Sequence, residues 1–136
     1  MTLVDTSAWV EYLRGTETAV HQTLRAMIER GEPMATTEVV VMEVLAGARD
    51  PGHLARLGRL LLRCQLLPTR GLGDYEQAAT IYRHCRRNGE TVRRLTDCLI
   101  ATVAMRDGAT ILHSDADFQA IARHTALRIA VTDTRR

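Results

Sequence analysis

Lysine is absent from this chain of 136 residues, and all eighteen of its lysine-or-arginine positions are arginine. A Walker-type phosphate loop, a Schiff-base enzyme and a phospho-receiver domain each need a lysine, so these three classes are excluded. Coding bias toward arginine would explain the absence without any functional reason, but the exclusions hold either way. The formal net charge of +2 is too small to indicate nucleic-acid binding by itself.

Cysteines, long apolar runs and aromatic residues are scarce as well. The three cysteines form no Cys-x-x-Cys pair, which indicates a reduced intracellular chain rather than a disulfide framework or a zinc site. No apolar run approaches the length of a membrane span, and the N-terminus enters a strand-like run at Thr2 instead of a secretory signal. We therefore expect a cytoplasmic protein with no membrane contact. Because aromatics make up 4% of a chain that is 46% hydrophobic, we expect an aliphatic core.

Short apolar runs alternate with helical patterns along the whole chain. The predicted strands lie at residues 3–4, 34–36, 66–67, 109–112 and 127–131. The predicted helices end near residues 15, 30, 47, 63, 87, 106 and 123. Met42, Leu54 and Tyr75 are expected on the buried sides of their helices. This alternation predicts one α/β domain over residues 1–136, with three α/β/α layers around a short-stranded, mainly parallel sheet of four to five strands.

Acidic residues follow the predicted strands, where parallel α/β folds place their sites. Asp5 follows the first strand, Asp115 and Asp117 follow the strand at 109–112, and Asp97 opens a helix that is expected to begin at the same edge. Taken singly, an aspartate in such a place also serves as a helix cap. Glu43 is harder to explain in that way, because it lies inside an apolar helix and is costly there unless it faces water, a cation or a metal.

Convergence of these acids on one cleft has an energetic consequence. Two carboxylates 4 Å apart repel by roughly 4 kcal/mol at an effective dielectric constant of about 20. No arginine is expected to adjoin Asp5, Glu43, Asp97 and Asp115 at a shared junction. A hard divalent cation, Mg²⁺ or Mn²⁺, suits such an all-oxygen set of ligands, and acidic metal sites are typical of phosphodiester hydrolysis.

Four motifs occur in the order and spacing of a known family. They are Val4-Asp5-Thr6-Ser7, Glu43 followed by Leu45-Ala46-Gly47, Thr96-Asp97-Cys98-Leu99-Ile100-Ala101, and Ser114-Asp115-Ala116-Asp117-Phe118. Together they resemble the PIN-domain ribonucleases over essentially the whole chain. The chain's size and the N-terminal position of its first aspartate are similar to the VapC-type toxins of toxin–antitoxin pairs.

This resemblance implies a function and a set of site residues. Asp5, Glu43, Asp97 and Asp115 would form the acidic metal site, with Asp117 as a frequent fifth acid. Supporting hydroxyls would come from the positions beside the first and third acids, which are Thr6, Ser7 and Thr96. The implied protein is a Mg²⁺- or Mn²⁺-dependent endoribonuclease toxin that acts on transfer RNA or another structured RNA.

The resemblance also implies a homodimer and a cognate VapB-type antitoxin that blocks the acidic site. Leucine-rich amphipathic helices at residues 20–28 and 54–61 offer apolar faces for such contacts, although core packing explains them equally well. Clustered arginines offer contacts to RNA phosphates, with a solvated helix end as the alternative. They are Arg83, Arg86, Arg87, Arg93 and Arg94.

The sequence bears on three alternatives, of which the first lacks required residues. A haloacid-dehalogenase-like phosphatase needs a second aspartate two residues after the first, where this chain has Ser7, and it needs a lysine. A PIN nuclease of RNA processing would carry the same acids. A non-catalytic PIN-like module that binds RNA or a protein would be indicated by the loss of an acid, and all four are present.

Overall fold

A computed structural model describes residues 1–132 of the chain. Four strands and seven helices alternate in this part of the chain. In order, they are β1 (Thr2–Val4), α1 (Thr6–Arg14), α2 (Ala19–Arg30), β2 (Met34–Thr36), α3 (Glu38–Ala46), α4 (Pro51–Leu61), β3 (Gln65–Leu66), α5 (Gly71–Arg87), α6 (Leu95–Arg106), β4 (Thr110–Leu112) and α7 (Ala116–His124). This confirms the predicted α/β class.

The four strands form one parallel sheet in the order β3-β2-β1-β4. Right-handed crossovers place α1 to α4 on one face as the chain moves from β1 outward to β3, and α5 and α6 on the other face as it returns to β4. Contacts between α1, α2, α3 and α4, and between α5, α6 and α7, match these two layers. The chain reverses its direction of travel between β1 and β4, and this pair is therefore the switch point where α/β sheets form their sites.

The predicted last strand at residues 127–131 is wrong in its extent. This segment makes one parallel bridge, from Ile111 to Ile129, with hydrogen bonds from the Ile111 N–H to the Arg128 carbonyl (3.0 Å) and from the Ala130 N–H to the Ile111 carbonyl (2.8 Å). The next residue, Val131, is 91% exposed, so the segment leaves the sheet edge after a single paired residue.

The core is aliphatic, as the composition predicts, with Trp9 and Phe118 as its two largest fully buried side chains. Three residues that were expected to face the core instead face outward: Met42 is 61% exposed, Leu54 45% and Tyr75 55%. In the case of Tyr75, helix α5 begins at Gly71, and the buried position of its first turn is taken by Asp74, which pairs with Arg106. No helix in the described residues is both long enough and apolar enough to cross a bilayer.

We expect Leu3→Ala to lower the free energy of unfolding by about 2–5 kcal/mol, because it opens a cavity beneath the central strand pair. Leu3 has no exposed surface, whereas the matched control Leu72→Ala removes a side chain that is 73% exposed and should change stability by less than about 0.5 kcal/mol. Urea titration followed by the fluorescence of Trp9, the single tryptophan, measures both variants. Equal stabilities of the two variants would contradict this description of the core.

Candidate active site

A cleft of about 270 Å³ opens at the carboxyl ends of β1 and β4. Its walls come from α1, α3, α6 and the loop after β4, which all reach this edge of the sheet. The residues that line it are Asp5, Thr6, Ser7, Val10, Glu11, Glu43, Arg94, Asp97, Ser114 and Asp115. The structure thus brings Asp5, Glu43, Asp97 and Asp115 to a single surface, although they come from four separate segments of the chain.

Asp5 ends β1 and caps α1. Its Oδ2 accepts hydrogen bonds from the Ser7 N–H (2.9 Å) and the Ser7 hydroxyl (2.6 Å). Its Oδ1 is buried and accepts no hydrogen bond from any described residue. Burial raises the pKa of Asp5 above its ordinary value, the Ser7 hydrogen bonds oppose this rise, and the negative charge of Glu43 adds to it. Capping uses one carboxylate oxygen and leaves the other available to a ligand.

Ser7 and Thr6 hold two parts of the site in register. The Ser7 hydroxyl oxygen accepts a hydrogen bond from the Ser114 N–H (2.8 Å), which ties the start of α1 to the loop after β4. The Thr6 hydroxyl donates to Glu43 Oε1 (2.9 Å), which ties α1 to α3. The Glu43 side chain is 25% exposed, so this mid-helix acid faces the cleft rather than the apolar core.

Asp97 lies in the first turn of α6 and is 4% exposed. Its Oδ2 is buried and, within the described residues, has no hydrogen-bond partner. Burial raises the pKa of Asp97 to about 9, and the neighbouring carboxylates Asp117, Asp5 and Asp115 raise it further. The preceding residue, Thr96, is half-buried, and no described hydrogen bond involves its hydroxyl.

Asp115 and Asp117 belong to one turn at the start of α7. Asp115 Oδ1 accepts the Asp117 N–H (2.9 Å), and the Asp117 carboxylate accepts the N–H groups of Arg93 (3.0 Å) and Arg94 (3.1 Å). Burial opposes ionisation of Asp117, but the Arg93 N–H, the Asp97 side chain, the Arg94 N–H and the Arg93 charge together outweigh it and lower the pKa of Asp117. Asp97, Asp115 and Asp117 each offer an oxygen, and these oxygens lie within 4.8 Å of one another. Asp117 is thus an integral part of the acidic cluster.

The expectation that no arginine adjoins the acids is wrong. Arg93 Nη2 lies 3.4 Å from Asp115 Oδ1, and Arg94 Nη1 lies 3.9 Å from Glu43 Oε2. Arg93 and Arg94 reach these acids because the loop between α5 and α6 returns to this edge of the sheet. The other three candidate arginines lie on α5 and do not line the cleft; they are Arg83, Arg86 and Arg87.

Glu11 belongs to the cleft but was not singled out in the sequence. Its carboxylate accepts the Ser114 hydroxyl (3.2 Å), and it also bonds Thr16 and Thr18 after α1. Its position four residues after Ser7 places both on one face of α1, and this spacing is the signal that could have identified it.

These residues fit a divalent cation. The donors are all oxygens, and two of them, Asp5 Oδ1 and Asp97 Oδ2, are buried without a hydrogen bond from the described residues. Leaving a buried acceptor unpaired costs free energy, and an oxygen-seeking ion removes that cost while it offsets the repulsion among the acids.

We predict that Asp97→Asn changes the pH dependence of stability in EDTA. Between the unfolded pKa of 3.8 and the folded pKa of about 9, the folded chain keeps a proton that the unfolded chain releases, so this stabilising contribution falls as pH rises. Asparagine does not titrate. The unfolding free energy of the wild type relative to Asp97→Asn should therefore decrease from pH 5 to pH 8 in denaturant titrations. Glu76→Gln, on an exposed part of α5, is the matched control. If the difference in unfolding free energy between the wild type and Asp97→Asn did not change with pH, the raised pKa of Asp97 would be refuted.

Comparisons with known proteins identify the family of the chain. The sequence matches the family model of the PIN domain over residues 2–124. Ribonuclease VapC11 of Mycobacterium tuberculosis is 47% identical over 131 residues, which cover 96% of this chain and 98% of that protein. The fold is similar to VapBC2 from Rickettsia felis bound to a promoter DNA fragment (TM-score 0.74, 16% identity, 97% of this chain and 98% of that chain). It is also similar to VapC20 of M. tuberculosis, a sarcin-ricin loop cleaving toxin (TM-score 0.65, 18% identity, 94% of this chain and 99% of that chain). The chain therefore belongs to the PIN-domain family, with a VapC ribonuclease among its relatives.

Proposed function

We propose that this protein is a divalent-metal-dependent endoribonuclease toxin of the VapC type. The observation that carries the proposal is the cleft at the β1/β4 switch point, where Asp5, Glu43, Asp97 and Asp115 meet and two buried carboxylate oxygens have no hydrogen bond from the described residues. The 47% identity to ribonuclease VapC11 over nearly the full chain supports the same activity.

Asp5, Asp97 and Asp115 would hold Mg²⁺ or Mn²⁺ directly, and Glu43 would hold a second ion or orient the attacking water. When bound, the ion lowers the pKa of water and neutralises charge on the phosphate. Hydrolysis would leave a 5′-phosphate and a 3′-hydroxyl.

The chain's own hydrogen bonds prepare these acids for that task. Ser7 fixes the rotamer of Asp5, and Thr6 aims Glu43 from α3 across the cleft. Asp117 is held by backbone N–H groups and keeps the α7 turn, with Asp115, against the start of α6. Thr96, beside Asp97, is a candidate hydroxyl for the substrate.

Structured RNA, such as transfer RNA, is the proposed substrate, and a cognate VapB-type antitoxin is the proposed inhibitor. VapC20, a structural neighbour, cleaves the sarcin-ricin loop, and another neighbour was solved as a VapBC assembly. Exposed apolar side chains leave surface for an antitoxin and for a homodimer. On α3, α4 and the segment that follows, they are Met42, Leu54, Leu62 and Leu66. We place this activity in the cytoplasm, where its RNA substrates reside.

We expect Asp5→Asn and Glu43→Gln each to lower RNA cleavage by at least about a hundredfold, because each removes a charge from the proposed metal site. The assay is Mg²⁺-dependent cleavage of a transfer-RNA pool, with mapping of the ends and an EDTA control. Circular dichroism verifies that the variants fold, and Glu76→Gln is the matched control with wild-type activity. Cleavage by Asp5→Asn at the wild-type metal dependence would refute the assignment. Inactivity of the wild type with every divalent ion tested would favour a non-catalytic binding module.

The arginines of α5 yield a separate prediction for RNA binding. Arg86 lies over the Tyr82 ring, 5.6 Å from its centroid, and its charge remains exposed, as does that of Arg87. If both contact phosphates, Arg86→Ala and Arg87→Ala should each reduce the slope of log affinity against log salt by about 1. Fluorescence anisotropy in EDTA measures this slope without cleavage, with the exposed Arg63→Ala as the control. An unchanged slope would remove α5 from the RNA-binding surface.

A further inference from the structure

The loop between α5 and α6 contacts the acidic cleft in two different ways. The backbone N–H groups of Arg93 and Arg94 donate to the buried Asp117 carboxylate at 3.0 and 3.1 Å. The Arg94 side chain extends to a different acid, with Nη1 3.9 Å from Glu43 Oε2, and the Arg93 side chain lies between two acids, with Nη2 3.4 Å from Asp115 Oδ1 and Nε 3.7 Å from Asp117 Oδ1. The backbone bonds fix the position of the loop, and the side chains can therefore move without displacing it.

These three side-chain ion pairs are weak and easily exchanged. The Arg93 and Arg94 side chains are 73% and 64% exposed, and all three separations are longer than a good charge-assisted hydrogen bond. Water can hydrate either guanidinium group as soon as it leaves its acid, so release costs little. By contrast, the Asp117 carboxylate is 4% exposed and would keep its two backbone N–H donors after the Arg93 side chain moves away from it.

The acids that these arginines contact are the ones that the proposed function assigns to the metal. Asp115 and Glu43 line the cleft together with Asp5 and Asp97, and each of the latter two has a buried oxygen without a hydrogen bond from the described residues. A divalent cation and a guanidinium group compete for the negative charge of the same carboxylates. By linkage, whatever the arginine contacts contribute to the metal-free state must be subtracted from the metal affinity.

We propose that Arg93 and Arg94 are resident counter-ions of the cleft, which a divalent metal releases to bind the phosphodiester backbone of RNA. This inference rests on the proposed function. Arg94 lines the cleft itself, so its released guanidinium group stays at the rim where a phosphate would pass. The planar fork of arginine binds phosphate in a bidentate manner, which it cannot do while it neutralises Glu43. Metal binding would thus create a phosphate site beside the acids.

The first test is isothermal titration of the metal-free protein with Mn²⁺. We expect R93A and R94A each to tighten Mn²⁺ binding by about two- to fivefold, the amount that an exposed ion pair supplies. R94K, which keeps the charge, should remain close to the wild type. R63A removes an exposed arginine outside the cleft and controls for net charge. Unchanged or weaker Mn²⁺ binding in both R93A and R94A, or an equal gain in R63A, would overturn the proposal.

The same titration separates this inference from the proposed function. If the wild type binds no Mn²⁺, both fail. If the wild type binds Mn²⁺ and the arginine variants bind it with the same affinity, the counter-ion role fails and the metal site stands.

The second test measures the coupling between metal and RNA. Anisotropy of a labelled single-stranded RNA 12-mer is recorded in EDTA and in Ca²⁺, an oxygen-seeking ion that occupies carboxylate sites, with gel electrophoresis to verify that the RNA is intact. The wild type should bind RNA more tightly with Ca²⁺ than without it. In the double variant R93A/R94A this gain should shrink by at least about twofold, whereas R63A should keep it. An equal gain in the double variant would refute the release to phosphate.

Discussion

The repulsion among carboxylates at the β1/β4 switch point is the constraint on which the rest of this structure depends. Asp5, Asp97, Asp115 and Asp117 meet where two parallel strands end, and all but the half-buried Asp115 are cut off from the water that would screen their charges. Asp97 bears most of the cost, because it is flanked by the others and has no donor for one buried oxygen. A divalent cation, as proposed for this cleft, would offset this cost.

The surrounding residues reduce the free-energy cost of bringing these carboxylates together, but they do not remove it. Ser7 donates to Asp5, and Thr6 donates to Glu43. The N–H groups of Arg93 and Arg94 donate to Asp117. These carboxylates are therefore oriented before any ligand arrives. None of these donors reaches Asp5 Oδ1 or Asp97 Oδ2. The arrangement leaves two oxygens without hydrogen bonds, which the proposed metal would use, and occupies others that hold neighbouring segments together. Asp5 shows this division within one side chain, because one oxygen caps α1 and the other is unpaired.

Sequence reasoning succeeded where a feature depends on near neighbours in the chain. The β1 strand, the cap at Asp5 and the helix after it follow from a short apolar run, a capping residue and apolar spacing, and all are present. It failed where a feature depends on contacts between segments that are distant in the chain. The loop that carries Arg93 and Arg94 is bound at the site through its backbone by Asp117, which lies more than twenty residues away. The segment at 127–131 has strand-like residues, but only Ile129 finds a partner on β4.

The sequence by itself determined the α/β class, the aliphatic core, the absence of lysine chemistry and the residue types at the ends of the strands. These follow from composition and periodicity, which report local preferences and burial. Only the tertiary structure decided how closely the acids meet, which of their oxygens lack hydrogen bonds and which arginines stand beside them. Such facts depend on strand order and on contacts between distant residues, and no local pattern in the chain contains that information.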